Sequence, residues 1–103
     1  MPAISRDIID KARTGHLCTF FIGCKASQGS VMANGIAVLR PGDRCLFHTI
    51  QSYCPTFCCI PHKAKVNAGS SSVFALGIPI ARDGDSTDMG ALIKGSPNVF
   101  AGG

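Results

Sequence analysis

The chemistry available to this chain lies in three histidines, His16, His48 and His62, and six cysteines. Two pairs share a Cys-x-x-His spacing that can bring both donors to one ion: Cys59-Ile60-Pro61-His62 and Cys45-Leu46-Phe47-His48. The first sixteen residues carry Arg6, Asp7, Asp10, Lys11 and Arg13 and no apolar run, so a signal peptide is not expected and synthesis in a reducing cytosol is. In that compartment cysteines beside histidines read as metal ligands ahead of disulfides. Three imidazoles and one thiolate make a tetrahedral zinc site with no open position, a structural site and not a catalytic one. The predicted ligands are His16, His48 and His62, which all lie in segments between the hairpin units, with Cys59 as the thiolate because the Cys54–His62 stretch is dense in donors and lacks apolar periodicity. Cys58, Cys45 and Cys54 follow, in that order, as alternatives for the thiolate. Cys18 and Cys24 flank Thr19-Phe20-Phe21-Ile22-Gly23 and read as small core residues. Disulfides such as Cys18–Cys24 or Cys54–Cys58 are the competing use of the thiols.

Other classes fit less well. A zinc hydrolase or deaminase needs an open metal position and a general base, usually Glu. This chain has no Glu, and its six Asp sit at turn positions, with Asp43 and Asp85 each following a Gly. A zinc-stabilised nucleic-acid module would show a Cys-x-x-Cys…His-x-x-x-His pattern and a recognition helix. The net charge is +4, but Lys and Arg are scattered singly, so no nucleic-acid partner is expected. The longest apolar run, 17–24, is too short to span a bilayer.

The elements that must position these donors are strands. The chain has ten Ile, five Val and twelve Gly against five Leu, which suits short strands joined by tight turns. A repeat organises them. Val31-Met32-Ala33-Asn34-Gly35-Ile36-Ala37-Val38-Leu39-Arg40-Pro41-Gly42-Asp43 overlays Val73-Phe74-Ala75-Leu76-Gly77-Ile78-Pro79-Ile80-Ala81-Arg82-Asp83-Gly84-Asp85 at a constant offset of 42 residues. A partial third copy, residues 95–103, overlays residues 69–77. Each unit reads as a β-hairpin with a Gly-containing turn, and Pro79 places its strand at an edge or at a strand start. Pro2-Ala3-Ile4-Ser5-Arg6 echoes half a hairpin, with a short N-terminal helix through Ile8, Ile9, Lys11 and Ala12 as the competing reading. Units this small share a core only by packing around a common axis. One all-β domain over 1–103 is expected, with the histidines in the segments between hairpins and outside the strands.

These residues resemble the PAAR-repeat family. Its Pro-Ala-Ala-Arg motif appears as Pro79-Ile80-Ala81-Arg82 and, more degenerate, as Ala37-Val38-Leu39-Arg40. The Gly-Ser-Pro-Asn-Val-Phe-Ala-Gly-Gly ending at 95–103, Gly-Ser-Ser-Ser-Val-Phe at 69–74, Gly-Asp after each Arg, and Thr14-Gly15-His16 belong to the same resemblance. Leu76 stands where Asn is usual, and Val31 lacks the Gly-Ser-x-x that precedes Val73 and Val99. The resemblance implies a cone with pseudo-threefold hairpins, a zinc ion near its vertex, and a base seated on a trimeric β-helical spike, one copy per trimer. Such a spike would be a phage central spike or a VgrG-like protein of a type VI-like secretion system. It further implies a bare membrane-piercing tip made in the bacterial cytoplasm, carried by a virion tail or secretion apparatus to the target cell envelope, with effector cargo as a further partner. Apolar side chains among Val31, Ile36, Val73, Ile78 and Val99 are expected to form the base, and Phe20, Phe21, Phe74 and Phe100 to serve as core or base contacts.

Overall fold

The computed structural model describes residues 2–14, 21–46, 48–53, 57–62, 64–87 and 90–102, with the backbone alone for 48–53 and 57–62. Among these the chain forms nine short strands and no helix: β1 (Lys11–Arg13), β2 (Phe21–Gly23), β3 (Met32–Ala33), β4 (Ile36–Ala37), β5 (His48–Tyr53), β6 (Phe57–His62), β7 (Phe74–Ala75), β8 (Ile78–Pro79) and β9 (Ala91–Leu92). Strands β3–β4 and β7–β8 are the two predicted hairpins. Each turns through two residues with positive φ, Asn34 (56°) with Gly35 (75°) and Leu76 (52°) with Gly77 (81°). Positive φ at both positions is the twist-matched turn that Asn-Gly favours. Asn34 adopts it readily; Leu76 does so against its Cβ sterics.

The third hairpin is cut open and rejoined by the two ends of the chain. Ala3 pairs with Phe100, and Ala101 N–H donates to Pro2 O at 3.1 Å. Equivalent hydrogen bonds identify the three units: Val38 N–H to Val31 O (3.1 Å), Ile80 N–H to Val73 O (3.0 Å) and Ile4 N–H to Val99 O (3.0 Å). The N-terminal half-hairpin and the C-terminal partial copy are thus two halves of one unit. The competing N-terminal helix does not form, because residues 7–9 make a turn with Ile8 at φ 58° and lead directly into β1.

One step beyond, the units meet on an axis. Leu39 N–H donates to Ser5 O (3.0 Å), Ser5 N–H to Ala81 O (3.1 Å) and Ala81 N–H to Leu39 O (2.8 Å), closing a ring of three backbone bonds. Two apolar layers lie against this ring. The first holds Ile4, Val38 and Ile80 with Ala33, Ala75 and Ala101, and Val31, Val73 and Val99 pack against it. The second holds Leu39 and Ala81 with Ala12, Cys24, Cys45, Val66 and Leu92. The alanines are fully or almost fully buried, and larger side chains there would force the hairpins apart.

Two polar devices repeat with the same symmetry. The Ser70 hydroxyl accepts from Ser72 and Val73 N–H, and the Ser96 hydroxyl from Asn98 and Val99 N–H. Before Val31 the amide oxygen of Gln28 takes that role, accepting from Ser30 and Val31 N–H at 2.9 and 2.8 Å. The absent Gly-Ser is therefore replaced in function by a longer side chain.

The second device is an arginine held by a downstream aspartate. Asp10, Asp43 and Asp85 accept from the backbone N–H of Arg6, Arg40 and Arg82. Asp10 and Asp85 also grip the guanidinium through two oxygens. Each arginine then reaches the next unit: Arg6 to Asn34 Oδ1, Arg40 to Ala75 O, and Arg82 to Gly102 O. The hydrogen bonding to Asp10 raises the pKa of Arg6 above its ordinary value, against the opposing effect of burial.

Leu76→Asn should stabilise the fold by about 1 kcal/mol, because it relieves a left-handed leucine that is 62 % exposed and has few contacts to lose. Thermal unfolding checks this: a rise of about 4–8 °C is expected for a chain of this size.

Candidate functional site

The pseudo-threefold frame presents one set of equivalent side chains outward on its three hairpins. Met32, Phe74 and Phe100 each precede a buried alanine of the first apolar layer, so strand alternation turns them away from the core. They are 55 %, 53 % and 49 % exposed. Ile78 and Leu76 add exposed apolar surface on the β7–β8 hairpin. This corrects part of the expected base. Val31, Val73 and Val99 lie against the core, and the residues one step further along each strand face out. The signal was present in the repeat, where Val-Met, Val-Phe and Val-Phe stand at equivalent positions. Of the phenylalanines, Phe21, Phe74 and Phe100 are exposed, and Phe20 lies outside the described residues.

The second layer gives rise to the longest hairpin. Cys45 belongs to that layer, and β5 begins three residues later. β5 and β6 pair antiparallel over six residues each, with His48 opposite His62, Gln51 opposite Cys59, and Ser52 opposite Cys58. His48 and His62 were expected in a linker; they stand at the ends of paired strands. Thr49, Ile50, Tyr53, Phe57 and Ile60 are strand-forming types that the cysteines between them obscured. Residues directly opposed on antiparallel strands share a face of the ribbon and are its nearest neighbours. Cys58 has the parity of His62 along β6, and Cys59 the opposite parity.

The remaining candidates divide. His16, Cys18 and Cys54 lie outside the described residues. Cys45 forms a disulfide with Cys24 across an antiparallel bridge, which removes it as a thiolate candidate. Cys24 is fully buried in the second layer, as expected of a core residue, and its bonded partner is Cys45. Among the described residues no three His, Cys, Asp or Glu side chains group together. No helix among them is long and apolar enough to cross a membrane.

A single chain of three hairpins closed around one axis, with small residues inside and an apolar triad outside, defines a small all-β domain. The PAAR motif family model matches residues 21–94, and the chain belongs to that family. Membership makes it a spike-tip protein, a component of a contractile tail or secretion apparatus. No match was found among curated proteins.

The half-exposed triad is expected to contribute little to folding. Phe74→Ser with Phe100→Ser should change the unfolding free energy by less than about 1 kcal/mol. Leu39→Ala, within the second layer, should lower it by about 2–5 kcal/mol. Denaturant titration of the two variants checks the contrast.

Proposed function

We propose that the protein closes the end of a trimeric β-helical spike, one copy per three subunits, and is itself held shut near its point by one structural zinc ion. The observation that carries the first half is the outward triad Met32, Phe74 and Phe100 at three equivalent positions around the closed ring. A trimer ends in three identical surfaces, and one chain with three similar hairpins can meet all of them at once. The blunt end of a β-helix carries unpaired backbone groups, and covering them removes a liability. The host is a contractile phage tail or a type VI-like secretion system, and the opposite end of the cap faces the target membrane.

The role is structural. Asp10, Asp43 and Asp85 are committed to arginines, and Asp7 accepts from Ala26 N–H, so these four carboxylates hold the fold together. With no Glu in the chain, the usual general base of a zinc hydrolase or deaminase is missing.

For the zinc, the proposed ligands are His16, His48 and His62 with Cys59 as the thiolate; the β5–β6 register sets His48 opposite His62, but it sets Cys59 three residues, about 10 Å, from His62 along β6 and on the other parity, so the thiolate is the least supported of the four. Four protein ligands would tie the β5–β6 hairpin to the segment after β1 and couple metal binding to stability. The purified protein should hold about one equivalent of zinc. His48→Ala should destabilise it by on the order of several kcal/mol, and Gln51→Ala should not. Equal melting temperatures for those two variants would remove His48 from the site. Metal content of Cys59→Ser and Cys58→Ser assigns the thiolate: the variant that loses the zinc is the ligand.

Mixing the protein with the C-terminal end of a trimeric β-helical spike should give a complex with one cap per trimer, burying about 800 Å² on each side. Light scattering reads the stoichiometry, and the Phe74→Ser/Phe100→Ser variant should bind more weakly. A stable homotrimer of this chain with no affinity for such a spike contradicts the reading.

A further inference from the structure

Around the second layer runs a belt of strand pairs, and the pseudo-threefold symmetry makes its three sectors directly comparable. In one sector Lys25 N–H donates to Arg44 O (2.8 Å), and Arg44 pairs with Lys65. In the next, Asn67 N–H donates to Ser86 O (2.8 Å), and Ser86 pairs with Ala91. In the third, Ile93 N–H donates to Lys11 O (3.1 Å), and Lys11 pairs with Gly23. The backbone is the same in all three, while the side chains are Lys-Arg-Lys, Asn-Ser-Ala and Ile-Lys-Gly. The fold therefore does not require three cations in a row; one sector alone has them.

Like charges directly opposed on neighbouring strands are unfavourable. Arg44 and Lys65 have the closer kind of pairing: Cys45 N–H to Ala64 O and Val66 N–H to Asp43 O bracket them, so the two residues exchange no bond themselves. All three cations are exposed, and no described carboxylate makes an ion pair with them. The acids on adjoining loops are engaged elsewhere, Asp7 with Ala26 N–H and Asp43 with Arg40 N–H and Ser27. Exposed apolar side chains flank the row. Ile8 N–H donates to Cys24 O and Leu46 N–H to Gly23 O, which places both beside the residues leading into Lys25.

We infer that the Lys25–Arg44–Lys65 row is a docking face for an anionic phospholipid bilayer, its cations meeting headgroup phosphates while Ile8 and Leu46 enter the headgroup boundary. Cations interleaved with isolated apolar side chains suit that boundary, where apolar parts sink and charged heads stay at the phosphates. The chain continues from this belt directly into the β5–β6 hairpin, so on the spike-tip reading the row is among the first body surfaces a membrane meets. The face itself does not depend on whether the hairpin base seats on a trimer, and the two are measured separately.

The test is co-sedimentation of the full chain with vesicles of phosphatidylcholine plus phosphatidylglycerol, and with phosphatidylcholine alone. The row variant takes the residues of the neutral sector, Lys25→Asn/Arg44→Ser/Lys65→Ala, which that backbone already accommodates. A control, Lys11→Gln/Arg13→Gln/Lys94→Gln, removes the same charge elsewhere on the exposed surface. The wild type should bind only the anionic vesicles, and less so as salt rises. The row variant should bind on the order of 100-fold more weakly, and the control should stay within a few-fold of wild type. Arg44→Ser alone should fall between, which keeps the test open if the triple variant does not fold. Equal losses in row variant and control would reduce the effect to net charge and overturn the inference. So would wild-type indifference to phosphatidylglycerol, or undiminished binding by the row variant; an acidic protein would then be the occupant to seek.

Discussion

Three backbone hydrogen bonds, Ser5 to Ala81, Ala81 to Leu39 and Leu39 to Ser5, hold the three hairpins to one axis. They use no side-chain polar group, so each position is free to present an aliphatic or small residue to the layers above and below. Leu39 and Ala81 fill the second layer, and their neighbours Val38 and Ile80 fill the first. A ring of this kind tolerates no break, because each bond fixes the separation of the other two units. The close approach it enforces explains why Ala33, Ala75 and Ala101 are alanines. The arginine–aspartate pairs brace it from outside, each guanidinium crossing to the next unit.

The ring also explains why the ends of the chain matter. Ser5 is near the N-terminus, and its own unit is completed by Val99, Phe100 and Ala101. Closure therefore waits for contacts that span nearly the entire chain, which is slow to form and depends on every unit being present. The same closure puts Met32, Phe74 and Phe100 at equivalent outward positions, so the surface proposed to meet a trimer follows from the backbone symmetry.

How much of this was legible follows from which interactions repeat. The two full hairpins, their turns and the Gly-Asp breaks were visible because the same local physics occurs twice at a fixed offset. The joining of the termini was visible only as two unconnected echoes, since pairing across the chain leaves no local mark. Gln28 hid its equivalence to Ser70 and Ser96 because a different side chain supplies the same acceptor from a greater length. The β5–β6 hairpin was missed as strand because it occurs once and its alternation is broken by cysteines. The Cys24–Cys45 bond joins residues 21 apart that only the second layer brings together, and cysteine spacing does not encode such a pairing. The cationic row was invisible for a related reason: Lys25, Arg44 and Lys65 are singletons in sequence and neighbours only across strands.

The closed ring is tested most directly by amide hydrogen exchange followed by nuclear magnetic resonance. If the two chain ends complete the third unit, the Ser5, Leu39 and Ala81 amides open only when the whole fold opens. All three should then exchange with the same protection, at the level of global unfolding. A Ser5 amide that exchanges like a frayed terminus, while Leu39 and Ala81 stay protected, would contradict the threefold frame on which the functional reading stands.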